Sequence, residues 1–543
     1  MKPIIEVAQA IGISEEHLEL YGKYKSKINP TLWEEVKDRP DGQLVLVTAM
    51  NPTPAGEGKT LTTIGLAQGL NAIGEPTIAA LREPSLGPCF GMKGGATGSG
   101  KAQIVPADDI NLHFTGDIHA ITSAHNLLSA MIDNHIFHGN SLRLNLKRMN
   151  WKRAMDMNDR SLRQIVTGIG DGNGQVQESG FLITTASEIM AVLCLSENLS
   201  DLRNRLGRMV IGYNEEGEAV TAVQLGAVEA MVILLKEAIK PNLVQTLEGT
   251  PVMIHGGPFA NIAHGCSSVV GTRLSLKMAK IVVTEAGFGA DLGAEKFFDI
   301  KCRQTGLRPS AAVLVVTIKA LKYNGGVPKQ ELDRSNMDAL QLGLLNMERH
   351  IENIHTFGVP VLVAINHFAG DASEEIELVQ QRCHQLGIRV EISKAWAEGS
   401  EGTIKFAEAL VELLNRDASN FTPLYADELD IRSKIEKVVQ TIYRGAQVTF
   451  SPSAVRGLAE IDRLGYGALP VCMAKTPYSF SDQPRLLGAP EGFTMHVRDL
   501  SLSAGAGFVV VHTGNIMTMP GLPKSPAAEQ MSMDEHGAIT GLI

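Results

Sequence analysis

The chain has 543 residues, 44% hydrophobic and 20% charged, with a formal net charge of −10. That length exceeds what one hydrophobic core usually holds and predicts two or three domains. A mildly acidic surface excludes broad attraction for nucleic acid or an anionic membrane, so an anionic ligand needs a local site.

Six cysteines, at 89, 194, 266, 302, 383 and 472, form no CxxC pair. They read as buried free thiols in a reducing compartment. The N-terminus carries Glu6, Glu15, Glu16 and Glu19 rather than a basic start and an apolar run, so no secretory signal is expected. No stretch approaches the ~18 uncharged apolar residues of a membrane span. The expectation is a soluble, cytoplasmic protein.

The first apolar run, 44–48, ends in Thr53-Pro54-Ala55-Gly56-Glu57-Gly58-Lys59-Thr60, and a helical pattern follows over 61–70. A strand, a glycine-rich loop and a helix in that order make a phosphate cradle. Backbone N–H groups and the positive helix end face the phosphate oxygens. Lys59 would reach the β- and γ-phosphates and Thr60 would take Mg²⁺. Thr53 stands where the usual GxxxxGK[ST] pattern has its first glycine. The bland alternative is a Gly/Pro turn before a helix, with a solvated lysine.

The second run, 77–81, is followed by Arg82-Glu83-Pro84. Ligands of a doubly wound sheet bind beyond the carboxyl ends of its strands, so Arg82 would lie beside the phosphate loop. A guanidinium there can clamp an acyl phosphate with two parallel hydrogen bonds. Its alternative is an ion pair with Glu83 or another carboxylate at the surface. The glycine-rich stretch 91–101 reads as a loop over a site or a plain spacer. His135 and His138 share helical spacing, but no HExxH pattern accompanies them.

The runs stop between 148 and 244, where a hairpin turn at 213–217 and a helix near 227–237 are expected. They resume at 252–254, 281–284, 312–316, 359–365 and 388–392. Continuous β-branched runs between helices predict buried parallel strands with helices on both faces. From about 417 a helix over 431–443 leads into a Gly/Pro-rich tail. The expected fold class is therefore α/β, a P-loop NTPase-like doubly wound and mostly parallel sheet. It carries an inserted α+β domain and a smaller C-terminal α+β domain. The expected division is 1–147 and 245–417 for the two parts of the nucleotide-binding core, 148–244 for the insertion and 418–543 for the last domain. A nucleotide loop alone leaves kinases, ligases and switches open.

Four long motifs narrow this. REPSLGPCFGMKGGATGSGKAQIVPADDINLHFTGDIHAI begins at Arg82, and HGGPFANIAHGCSSVVGTRLSLKMAKIVVTEAGFGADLGAEKFFDIKCR spans 255–303. LGYGALPVCMAKTPYSFSDQPRLLG and SAGAGFVVVHTGNIMTMPGLPKSPAAE follow in the C-terminal part. Together they resemble the formate–tetrahydrofolate ligase (formyltetrahydrofolate synthetase) family over nearly the whole chain. Lys101 and the loop Phe368-Ala369-Gly370-Asp371 depart from its pattern.

The resemblance implies ATP-dependent formylation of tetrahydrofolate to 10-formyltetrahydrofolate. Formate would attack the γ-phosphate and N10 would then attack the resulting formyl phosphate. It implies ATP with Mg²⁺, a monovalent cation (K⁺ or NH₄⁺) and a homotetramer. In the positions of this chain, residues 53–60 would bind the nucleotide and Lys59 and Arg82 would stabilise the transferring phosphoryl group. Phe368 and Trp396 would wall the pterin, Asp117 would lie near the folate, and Glu83 near the cation. Core packing is the alternative for Trp396, a helix cap for Asp117, and an ion pair for Glu83. Two other readings stay open at this level: a P-loop nucleotide switch of the partitioning or metallochaperone type, for which 364–371 vaguely resembles a guanine-reading segment, and a ligase for another small acid.

Overall fold

The computed structural model describes residues 1–53, 56–514 and 516–542. Pro54 and Ala55, expected to bind the nucleotide, lie outside the described residues. The seven apolar runs become seven parallel strands of one large sheet. In spatial order they are Pro251–Ile254, Thr77–Leu81, Ile281–Glu285, Gln43–Ala49, Pro309–Val316, Val361–Asn366 and Arg389–Ser393. Thr77–Leu81, Ile281–Glu285 and Val361–Asn366 are buried at every residue, because both faces are covered. Leu44 and Leu46 pack with Leu344 and Ile351 on one face. Val45 and Val47 pack with Leu66, Leu70, Phe406 and Leu410 on the other. A two-residue period along a strand sends neighbouring side chains to opposite layers, so a run with no polar break needs two helical layers.

The sheet also takes in antiparallel strands with little sequence signal. Asn242–Thr246 pairs with Pro251–Ile254, with Ser26–Ile28 and with Ala102–Val105. Between these parts the chain builds smaller sheets. The hairpin Val210–Asn214 and Ala219–Thr221 turns at Gly217, with the helix Val228–Leu235 behind it. In the C-terminal part the helix Ile431–Val438 precedes a three-stranded sheet of Val471–Ala474, Phe508–His512 and Asp499–Ser503. Val438, Tyr443, Val471 and Val509 join the same apolar cluster as Leu44 and Leu314, which joins the C-terminal elements to the sheet's core. All six cysteines are buried and unpaired. Among the described residues, no helix is long and apolar enough to cross a membrane.

One contact fixes the far rim of the site. A Cβ on Gly65 would lie 2.3 Å from the Ala395 Cβ, so glycine lets the helix Lys59–Ala72 press against the short helix Ala395–Glu398. The helix that begins at the phosphate loop thus packs against the turn that carries Trp396.

Candidate active site at the carboxyl ends of three central strands

Gln43–Ala49, Ile281–Glu285 and Thr77–Leu81 are consecutive neighbours in the sheet. The first leads into the glycine-bearing loop before Lys59, the last into Arg82, and the middle one ends in Glu285. Register places Glu285 opposite Val47 on one side, and Thr284 opposite Ala80 on the other. Side chains far apart in sequence therefore converge at one sheet edge.

The loop is tied down from inside. Glu57 is buried and turns away from solvent. Its carboxylate accepts from the Thr53 N–H at 2.7 Å and from the Thr317 hydroxyl. Burial pushes its carboxyl up while those two donors oppose the shift. Thr53, in place of the usual glycine, also accepts from the Gly56 N–H at 3.1 Å. The Asn366 amide donates to the Glu57 carbonyl at 3.2 Å. Asn366 ends the next strand but one from Gln43–Ala49 and lies in the segment that resembled a guanine reader; here it braces the loop. Gly58 caps the helix at φ +72°, and a Cβ there would lie 2.4 Å from the Asn366 Nδ2. Lys59 and Thr60 then open the helix Lys59–Ala72. The Glu57 side chain is thus a brace; any contact it makes with nucleotide would come from its backbone.

The Thr60 hydroxyl donates to Glu285 Oε2 at 2.8 Å, and Arg82 Nη2 lies 3.5 Å from Glu285 Oε1. Arg82 also donates to the Pro258 carbonyl at 3.5 Å, and its buried Nε has no protein partner. The guanidinium is held by two long bonds, and the buried Nε–H is among its unused donors. Its acid partner is the buried Glu285, neither Glu83 nor a surface carboxylate.

Glu83 is buried beneath, its Oε2 without a protein partner. Burial, and next the negative charge of Asp117, push its carboxyl well up. Asp117 is the first residue of the helix Asp117–Phe137, whose cap is Gly116. Its side chain does not cap that helix. One oxygen pairs with the fully buried Lys27 at 2.7 Å, and the other accepts from the Asn242 amide at 2.8 Å. Both groups come from the antiparallel side of the sheet.

Phe368 and Trp396 follow the last two parallel strands and are 40% and 58% exposed. That exposure rules out core packing, the alternative reading of Trp396. Trp396 supports the glycine-rich stretch, its carbonyl accepting from the Lys101 N–H at 2.9 Å. Within that stretch Gly98–Ser99 and Ala102–Val105 form a hairpin, and the Gly95 N–H donates to the Leu542 carbonyl at 2.5 Å. These bonds tie the stretch to Trp396 and to the end of the chain. His135 turns elsewhere, its Nε2 accepting from the Leu142 N–H at 3.0 Å. Among the described residues no three or more His, Cys, Asp or Glu are grouped to hold a metal ion.

One residue of this cluster escapes a reading of the sequence. Glu285 ends an apolar run as any solvated acid might, and only the order of strands puts it between Thr60 and Arg82. Phe288, three residues on, holds φ +59°. A bulky side chain in the left-handed region is strained. A family model for formate–tetrahydrofolate ligase matches residues 1–543, and the chain belongs to that family.

Proposed function

Taking that membership as the premise, we propose that the residues at these strand ends carry the ligase reaction through a formyl phosphate intermediate. The enzymes of the family form 10-formyltetrahydrofolate from formate, tetrahydrofolate and ATP. Formate carbon is a poor electrophile because its carboxylate is resonance-stabilised. An oxygen of formate attacks the γ-phosphorus and ADP leaves. N10 of tetrahydrofolate then attacks the formyl carbon, the carbon–oxygen bond to phosphate breaks, and N10 loses its proton. Charge gathers on the transferring oxygens in the first step, so fixed cations there lower the barrier. Lys59 at the helix N-terminus and Arg82 on the next strand but one are placed to supply them. The core is thus read as P-loop NTPase-like, with the domain division expected from the sequence.

The observation that carries this reading is the convergence of Thr60 and Arg82 on one buried carboxylate, Glu285. The hydroxyl of Thr60 and the carboxylate oxygens of Glu285 suit Mg²⁺, a hard cation that takes oxygen donors. Bound with ATP at Thr60, Mg²⁺ would neutralise charge on the phosphates. The unpartnered Glu83 Oε2 beside Asp117 is likewise an atom that a monovalent cation would complete. Phe368 and Trp396, open at the same edge, supply flat walls for a pterin. Asp117, held by Lys27 and Asn242, would act near the folate by fixing the charge around Glu83. Six unpaired thiols support a cytoplasmic setting, and the family supports a homotetramer.

The test uses formate labelled with ¹⁸O. A formyl phosphate route leaves one labelled oxygen in the released phosphate, because the carbon–oxygen bond breaks in the second step. Unlabelled phosphate would exclude the route.

A further inference from the structure

Glu285 has two oxygens and divides them. One accepts a well-made bond from Thr60 at 2.8 Å; the other meets Arg82 at 3.5 Å, the limit of an ion pair's hydrogen bond. The carboxylate is almost wholly buried, its side chain 5% exposed. A buried charge with one hydroxyl donor and one distant guanidinium is under-satisfied. Arg82 is in the same position, with Nε unpartnered and its bonds to Pro258 and Glu285 both at 3.5 Å. Neither group is saturated by the protein.

We propose that Glu285 is a positioning residue that couples arrival of the metal–nucleotide to the readiness of Arg82. This rests on the phosphate-loop reading above. With the loop empty, Glu285 shares itself between the Thr60 hydroxyl and the guanidinium. Thr60 would offer its oxygen to Mg²⁺ bound with the nucleotide, and Glu285, losing that donor, would turn its charge towards the cation. Its attraction to Arg82 weakens as it does so. The guanidinium is then free to turn its two-pronged edge to the acyl phosphate. No covalent step is involved; one carboxylate exchanges partners.

The experiment measures ADP binding by calorimetry with Mg²⁺ and with EDTA, for the wild type, Glu285→Gln and Glu285→Asp. A charged acceptor near the metal is removed in the Gln variant, so the gain in ADP affinity from Mg²⁺ falls about tenfold or more. Affinity in EDTA stays the same or rises, since a negative charge near the phosphates is gone. Inorganic phosphate, titrated without nucleotide, binds the Gln variant more tightly because Arg82 is released. The Asp variant, one methylene shorter, keeps part of the Mg²⁺ gain. A purely structural role would shift the Mg²⁺ and EDTA arms together and leave the gain intact, which overturns the proposal. If the Gln variant does not fold, the Asp variant decides: a Mg²⁺ gain equal to wild type overturns it. Lys59→Ala separates the two levels. Unchanged ADP binding there removes the phosphate-loop reading itself. Weakened ADP binding there, with an undiminished Mg²⁺ gain in Glu285→Gln, removes only the role given to Glu285.

Discussion

Gly58→Ala should weaken nucleotide binding by a calculable amount. Gly58 sits at φ +72°, and its new methyl would lie 2.4 Å from the Asn366 Nδ2. Left-handed backbone costs a non-glycine residue roughly 1–2 kcal/mol. The clash adds loss of the bond from Asn366 to the Glu57 carbonyl, a neutral hydrogen bond of about 1 kcal/mol. The loop relieves this strain by opening, and ATP must restore it, so affinity should fall by ~2–3 kcal/mol, or roughly 30- to 150-fold. Calorimetry of ADP binding reads this directly, with thermal melting as a check on the fold. A double-mutant cycle with Asn366→Ala isolates the clash. Asn366→Ala alone should lose about 1 kcal/mol. The double variant should be less impaired than the sum, because the methyl then has room. Wild-type affinity in Gly58→Ala, or strict additivity in the cycle, would refute a loop held shut by Asn366.

Lys59→Ala should lose nearly all ligase turnover while melting like the wild type, since the lysine serves the ligand rather than the core; near wild-type turnover would remove it from the chemistry. Arg82→Lys should bind ATP almost normally yet form 10-formyltetrahydrofolate ~10²–10³-fold more slowly in single turnover, because the planar fork is lost. Arg82→Ser should be slower still, whereas a merely structural ion pair would contribute only ~0–1 kcal/mol. Trp396→Ala should raise the requirement for tetrahydrofolate and leave that for ATP unchanged, as stacking on a flat ring contributes about 1–3 kcal/mol; the reverse pattern in steady-state kinetics would move Trp396 out of the folate site. Glu188 accepts from the Gly505 and Ala506 N–H groups, and burial pushes its carboxyl up to about 7 from the ordinary 4.5. Between those values the folded protein holds a proton that the unfolded chain has released. Stability from this group is therefore full below pH 4.5 and lost as pH rises towards 7, by up to about 3 kcal/mol. Chemical denaturation across that window should show the slope in the wild type and a flatter one in Glu188→Gln; an unchanged slope would place the titration elsewhere.

The sequence by itself marked the seven parallel strands: six as short apolar runs, because a strand covered on both faces must be largely apolar, and the edge strand Arg389–Ser393 as an alternating one. It also marked the strand Gln43–Ala49 and the helix that opens at Lys59, since the apolar run and the glycines before the helix are local signals. The long motifs around Arg82 and at 255–303 identified the family. Antiparallel Asn242–Thr246 went unread, since it lies among irregular segments and its partners, Ser26–Ile28 and Ala102–Val105, are too short to show a period. Tertiary structure alone decided which side chains meet. Glu57 reads as part of a binding loop, yet it turns inward to Thr317. Asp117 reads as a helix cap, yet Lys27, ninety positions away, takes its charge. Glu285 acquires its place between Thr60 and Arg82 from the order of three strands. Periodicity records which side chains leave water. It carries no record of strand order, and strand order chooses the neighbours that a buried charge will face.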